Sequence, residues 1–224
     1  MNSKAFSDFN IWDHSQIVKD LYRRRARDEV EEMTCAQQAI ELLVQHAGEG
    51  DTLIDAGCGS GYFFHSIRRR NLTIDYHGFD QTESLINIGK EELPPFGLSK
   101  EKLQVCRLED FSGNADHVLC LNVLSNIDNY HRPLERLLLA SRKTLILRES
   151  IASKSSYKYV HDTYLDDDVH LNVHVNTYAK NDICSFIQSY GFETKYVVDQ
   201  RTQGKPELVI GYPHHWAFIV ARAR

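Results

Sequence analysis

The sequence predicts an α/β fold: a doubly wound, mostly parallel sheet with helices on both faces and an antiparallel last strand. Three observations carry that expectation. Short apolar runs at 52–56, 118–123 and 144–147 have the length and composition of strands buried on both faces. Segments of helical periodicity separate them, which gives the βαβ order of a parallel sheet. The last two strands, at 194–199 and 216–221, have no helix between them, so they pair antiparallel.

Taken in order, residues 15–47 read as helical, with Ile17, Leu21 and Tyr22 and then Ala36, Ala39, Ile40, Leu43 and Val44 at helical spacing. Gly48-Glu49-Gly50 ends that pattern. Strand one covers 52–56 and the helix after it 62–70. A second strand at 74–79 closes on Asp80, and a helix at 83–93 stops at Pro94-Pro95. A short strand at 103–107, the strand at 118–123, a helix at 134–141 and the strand at 144–147 follow. A helix at 181–190 closes on Gly191 before the two final strands.

The 224 residues, 42% hydrophobic and 25% charged, suit one soluble domain with a substantial core. No apolar run approaches the roughly 20 residues of a membrane span. The opening MNSKAFSDFNIWDHSQ lacks the long apolar centre of a signal peptide, so a cytoplasmic protein with no membrane partner is expected. A net charge of −5 argues against nucleic acid as a partner. Arg23-Arg24-Arg25 is followed by Asp28, Glu29, Glu31 and Glu32 and reads as a solvated helix face. The five cysteines are scattered, with no CxxC pair, which fits reduced thiols and neither a disulfide framework nor a zinc site.

The stretch LIDAGCGSGYF, residues 53–63, sets Gly57, Gly59 and Gly61 at every second position behind Asp55. Glycines clustered there mean a sharp turn or a close approach of something to the backbone. A phosphate-cradling GxxxxGK[ST] run is absent, and Tyr62 stands where a dinucleotide fingerprint needs its third glycine. Asp80, at the end of the second strand, is placed either to accept hydrogen bonds from ribose hydroxyls or to cap the helix that follows.

The run IDAGCGSGYF resembles the first motif of the class I S-adenosylmethionine-dependent methyltransferases, and the resemblance extends over about residues 33–224. It implies a Rossmann-like, seven-stranded sheet forming a single domain over 1–224, with 1–47 as a helical lid and 148–180 as an insert covering the acceptor. It implies S-adenosyl-L-methionine as cofactor, held by Asp55, Gly57, Gly59, Gly61, Asp80 and Gln81. The segment Arg107-Leu108-Glu109-Asp110-Phe111 matches the adenine-binding loop, with Leu108, Glu109 and Asp110 as its contacts and Arg107 where the family's acidic residue stands. The segment from Leu121 and Asn122 to Ile127 matches the wall between donor and acceptor; it lacks the Pro-Pro-aromatic signature of amino-nucleobase methylation.

The insert is rich in polar and aromatic groups, among them Tyr157, Tyr159, His161, Asp162, His170 and His174. Alternation over 169–176 predicts a strand with His170 and His174 on one face, too far apart to share a metal, so none is expected. His161, His170 and His174 are the candidate bases for an acceptor proton. His214-His215-Trp216 and the lid residues Trp12, Tyr22 and Arg25 are further candidates for the cleft, the arginine for the donor's carboxylate. The expected function is methyl transfer to O or N of a small polar metabolite, such as a sugar or a secondary-metabolism intermediate, by a possible homodimer. The alternatives are an RNA or protein methyltransferase, a non-catalytic S-adenosylmethionine-binding protein and an NAD-dependent oxidoreductase.

Overall fold

Strand β1, Thr52–Ala56, sends alternate side chains to opposite faces: Leu53 joins one core cluster and Ile54 and Ala56 another. The same division along the other central strands makes a sheet buried on both faces, as a continuous apolar run requires. The computed structural model describes residues 10–163 and 165–224. The remaining strands are β2 (Asp75–Asp80), β3 (Leu103–Val105), β4 (Ala115–Leu121), β5 (Ser141–Ala152), β6 (Tyr159–His161), β7 (Asn172–His174), β8 (Tyr178–Ala179), β9 (Phe192–Val198), β10 (Glu207–Val209), β11 (Tyr212–His214) and β12 (Trp216–Ala223). The helices are α1 (Ile11–His14), α2 (Gln16–Ala26), α3 (Thr34–Val44), α4 (Phe63–Arg69), α5 (Glu83–Glu92), α6 (His131–Ala140) and α7 (Lys180–Ser189).

The main sheet runs β3-β2-β1-β4-β5-β12-β9, with β8 adding a short pairing to β5. Pairs among β1 to β5 are parallel, and β12 is antiparallel to both β5 and β9. The seven-stranded sheet with its antiparallel last strand is therefore present. Helices α3, α4 and α5 cover one face, around Ile40, Leu43, Ile67 and Leu85; α6 and α7 cover the other, around Leu134, Leu137, Ile183 and Ile187. Strand order reverses between β1 and β4, and the crevice beyond the carboxyl ends of two such strands is where α/β sheets bind ligands.

Three expectations change. The helical stretch 15–47 is broken. Ser15 caps α2 by accepting from the Val18 amide, Asp28 at φ +60° turns the chain out, and α3 starts at Thr34. Strand β5 continues five residues past the expected Leu147 to Ala152, so the insert begins later than 148. Arg148, Glu149 and Ser150 look like a strand's exit in sequence, yet all three are buried. The alternating stretch 169–176 forms only the short β7, paired with β6, and His170 falls outside it. Val173 and Val175 carry the apolar side of that alternation and pack with Ile11 of α1 in a third small cluster. Among the described residues no helix is long and apolar enough to cross a membrane.

Candidate active site

The loop after β1 is tied to the end of β2. The Gly57 and Cys58 amides donate to the Phe79 carbonyl at 2.8 and 3.0 Å, and the Gly59 amide donates to Asp80 Oδ2 at 2.9 Å. Asp80 Oδ1 accepts from the Thr82 amide at 2.8 Å, so one buried carboxylate pins both the glycine loop and the entry to α5. Burial pushes the Asp80 carboxyl above its usual range, against those hydrogen bonds.

The glycines answer to the protein's own packing. Gly57 has φ +75°, and a Cβ there would lie 2.4 Å from Val123 Cγ2. Gly59 has φ +59°, and a Cβ there would lie 2.2 Å from Tyr22 Cε1. Bare backbone at these positions lets the segment after β4 and the side chain of α2 press on the loop from two sides.

Asp55 stands behind the loop rather than in front of it. It is buried, accepts from the Tyr76 hydroxyl at 2.7 Å, and is absent from the cavity lining. Burial pushes its carboxyl up to about 7, with the Tyr76 hydrogen bond opposing and the charge of Asp80 adding.

A cavity of about 700 Å³ opens beside the loop. Its lining includes Gly57, Asp80, Gln81, Leu108, Glu109, Leu121, Asn122 and His174, which come from five separate parts of the chain. Among the described residues the lining excludes Asp55, Gly59, Gly61, Asp110, His161 and His170. Asp110 is exposed, His161 and His170 are exposed with ring centroids 5.9 Å apart, and His214 is buried against Trp216 with centroids 4.7 Å apart. The three lid candidates Trp12, Tyr22 and Arg25 all line the cavity. Burial raises the Tyr22 phenol to about 12, so it is neutral. The Arg25 guanidinium lies 5.2 Å from the Tyr22 ring centroid and 5.0 Å from that of Tyr62, and its buried Nε has no hydrogen-bond partner among the described residues. Arg107 also lines the cavity and pairs with Glu109 at 3.5 Å.

The wall after β4 is held by groups that the sequence did not single out. Glu149 is fully buried and accepts from the Val123, Leu124 and Ser125 amides at 3.1, 2.9 and 2.8 Å and from the Ser125 hydroxyl at 2.7 Å. Burial pushes its carboxyl up to about 7 against those donors. Its neighbour Arg148 bonds Asp199 at 2.6 Å, donates to Asn122 Oδ1, and lies 4.5 Å from the Trp216 ring centroid. Burial opposes ionisation of Asp199, but the Arg148 hydrogen bond and charge hold its carboxyl below the usual range. Asn122 itself has φ +61°, a conformation rare for a residue with a side chain. A charged pair directly after the apolar run 144–147 was the available signal for this network.

His174 reaches the cavity from β7, and Tyr159 packs on it with centroids 4.5 Å apart. Burial pushes its imidazole below the ordinary value, with the charge of Asp128 pulling the other way. Asn176 stitches this strand to the wall after β4: its amide donates to the Ser125 carbonyl at 2.9 Å and its Nδ2 to the Ile127 carbonyl at 2.7 Å.

A methyltransferase-domain family profile matches residues 54–145, which take in the glycine loop, Asp80, Glu109 and Asn122. The mitochondrial ubiquinone biosynthesis O-methyltransferase of Saccharomyces cerevisiae is 30% identical over 94 residues, 41% of this chain and 30% of that protein, so the match spans under a third of the relative's length. Magnesium protoporphyrin IX methyltransferase from Synechocystis PCC 6803, solved with bound S-adenosylhomocysteine, superposes with a TM-score of 0.64 at 14% identity, over 97% of this chain and 98% of its own. An S-adenosylmethionine-dependent methyltransferase from Clostridium acetobutylicum ATCC 824 gives a TM-score of 0.61 at 12% identity, over 91% and 96% of the two chains. At these identities the structural likeness is one of fold.

Proposed function

On the premise that the chain carries a class I S-adenosylmethionine-dependent methyltransferase domain on the full scaffold of that fold, we propose that it methylates O or N of a small polar acceptor, with His174 as the base. The single observation that carries the reading is that Gly57, Asp80, Leu108, Glu109, Asn122 and His174 line one cavity. Its volume of about 700 Å³ lies within the roughly 300–1,000 Å³ usual for ligand pockets.

The residues fit the cofactor. Asp80 uses part of its capacity on two amides and keeps lone pairs for ribose hydroxyls. Leu108 and Glu109 flank the adenine position, since Asp110 lies outside the lining, and Gln81 adds an exposed polar contact. The unpartnered Nε of Arg25 suits the carboxylate of the methionine half. Once bound, S-adenosylmethionine supplies a methyl carbon on a sulfonium: the acceptor's lone pair forms the new C–O or C–N bond as the C–S bond breaks and its electron pair returns to sulfur.

The chain's own part is alignment and proton removal. Asn122, clamped by Arg148, and the turn held by Glu149 fix the wall between the two ligands. His174 is neutral near pH 7, because its imidazole sits below the ordinary value, and so can accept the acceptor's proton. Calorimetry and methyl transfer from labelled S-adenosylmethionine test this together. His174→Gln should leave S-adenosylhomocysteine affinity unchanged and lower kcat by about 10²–10⁴-fold. Asp80→Asn should weaken S-adenosylhomocysteine about tenfold. Wild-type protein that binds NADH and not S-adenosylhomocysteine would overturn the reading.

A further inference from the structure

We propose that the acceptor is a cationic amine whose ammonium group is held by Asp128 beside the aromatic faces of Trp12 and Tyr159. This rests on the methyltransferase reading and narrows it from O or N to N. Trp12, Asp128, Tyr159 and His174 all line the cavity, brought there by α1, the segment after β4, β6 and β7. The packing of Ile11 and Trp12 with Val173, and the bond from Asn176 to the Ile127 carbonyl, hold these elements together.

The charges of the lining single out Asp128. Of the three carboxylates there, Asp80 accepts from two backbone amides and Glu109 pairs with Arg107 at 3.5 Å. Asp128 forms no ion pair among the described residues. Of the three arginines, Arg107 is the partner of Glu109, Arg132 pairs with Glu135 at 2.7 Å, and Arg25 lies over Tyr22 and Tyr62 on the glycine-loop side. That leaves an exposed carboxylate with no ion pair among the described residues, lining the same cavity as two aromatic rings, and its charge is felt at His174, on which the Tyr159 ring packs. A carboxylate and aromatic rings in one cavity are a combination that attracts an organic cation. A carboxylate or phosphate acceptor would be repelled there, and a neutral alcohol would gain no ion pair from the charge.

The proton balance agrees. An ammonium has no lone pair and cannot attack until it gives up a proton. His174, neutral, takes that proton and becomes an imidazolium, and the amine is left with its lone pair. Asp128 acts electrostatically on His174 as well, so the same carboxylate favours the charged form on either side of the transfer.

The test is calorimetric binding to protein saturated with S-adenosylhomocysteine, using matched probes that differ only in the terminal group. These are phenethylamine, 2-phenylethanol and phenylacetate, and 1,4-diaminobutane, 1,4-butanediol and succinate. The inference expects at least one amine to bind tenfold or more tightly than its alcohol and carboxylate counterparts. Asp128→Asn should abolish that preference while leaving S-adenosylhomocysteine affinity and Tm unchanged. Alcohols or carboxylates binding as well as amines, no amine binding, or a preference that survives Asp128→Asn would each overturn it with the methyltransferase reading intact. Failure of wild-type protein to bind S-adenosylhomocysteine would instead remove that reading and this inference with it.

Discussion

The loop after β1 and the wall after β4 face each other across the switch in strand order, and they keep their shape by opposite means. The first is bare backbone, pinned to the adjoining strand where the Gly57 and Cys58 amides donate to the Phe79 carbonyl and the Gly59 amide donates to Asp80. The second is dressed with side chains and hangs from Glu149, which gathers three amides and a hydroxyl. Both use one buried carboxylate to satisfy donors that no secondary structure can reach. In the loop after β1 the left-handed positions fall on glycines; in the wall after β4 the left-handed residue is Asn122, held by Arg148. A loop that must leave room can be left bare, whereas a wall that must hold side chains in place needs a foundation beneath them.

The largest expected effect comes from cutting the anchor of the wall after β4. Glu149→Ala strands three amides and a hydroxyl in the interior and should cost about 3–5 kcal/mol of unfolding free energy in urea titrations. A loss below about 1 kcal/mol would mean the wall stands without it. Next, Gly59→Val forces a side chain onto Tyr22 at a positive φ, with about 1–3 kcal/mol of backbone strain and at least tenfold weaker S-adenosylhomocysteine binding by calorimetry. Equal affinity would show that loop shape matters less than the comparison holds.

Asp55 sharpens the contrast through pH. Its folded carboxyl titrates near 7 instead of the ordinary 3.8 because of burial, so the folded chain retains a proton the unfolded chain has shed. Its contribution to stability is full below the unfolded value and is lost as pH rises through about 7. Asp55→Asn imitates the protonated form and should flatten part of the fall in stability between about pH 4 and 7. Each unit of displacement is worth about 1.4 kcal/mol. Glu149 titrates in the same window, so some slope should survive. The smallest effect belongs to Asn122→Gly: relief of the positive φ offsets part of the lost bond to Arg148, leaving a net loss of about 0.5–1 kcal/mol in thermal unfolding.

Much of the loop after β1 was legible in the sequence, because glycine has few substitutes where backbone must run left-handed and close to its neighbours. Gly57 and Asp80 of that pattern line the cavity, Gly59 and Gly61 do not, and the strand order follows from the alternation of runs. Which way a carboxylate faces was not legible. Asp55 and Asp80 both end strands next to the same loop, but only the fold turns Asp55 inward to Tyr76. The β5 extension was hidden because Arg148 and Glu149 read as exposed until their partners, Asp199 and Ser125, are known from distant parts of the chain. The three insert histidines look alike in sequence, and the pairing of β6 with β7 brings His174 alone to the cavity, leaving His161 and His170 exposed outside it.

The antiparallel insertion of β12 between β5 and β9 has a consequence for how the protein is made. Asp199 follows β9, and Trp216 and Phe218 of β12 lie beside the Arg148 guanidinium, so the grip on Asn122 is completed by segments that leave the ribosome after everything it grips. A nascent chain can assemble the glycine loop and its Asp80 anchor early, but the opposite wall of the cavity takes shape only when translation reaches the closing strand.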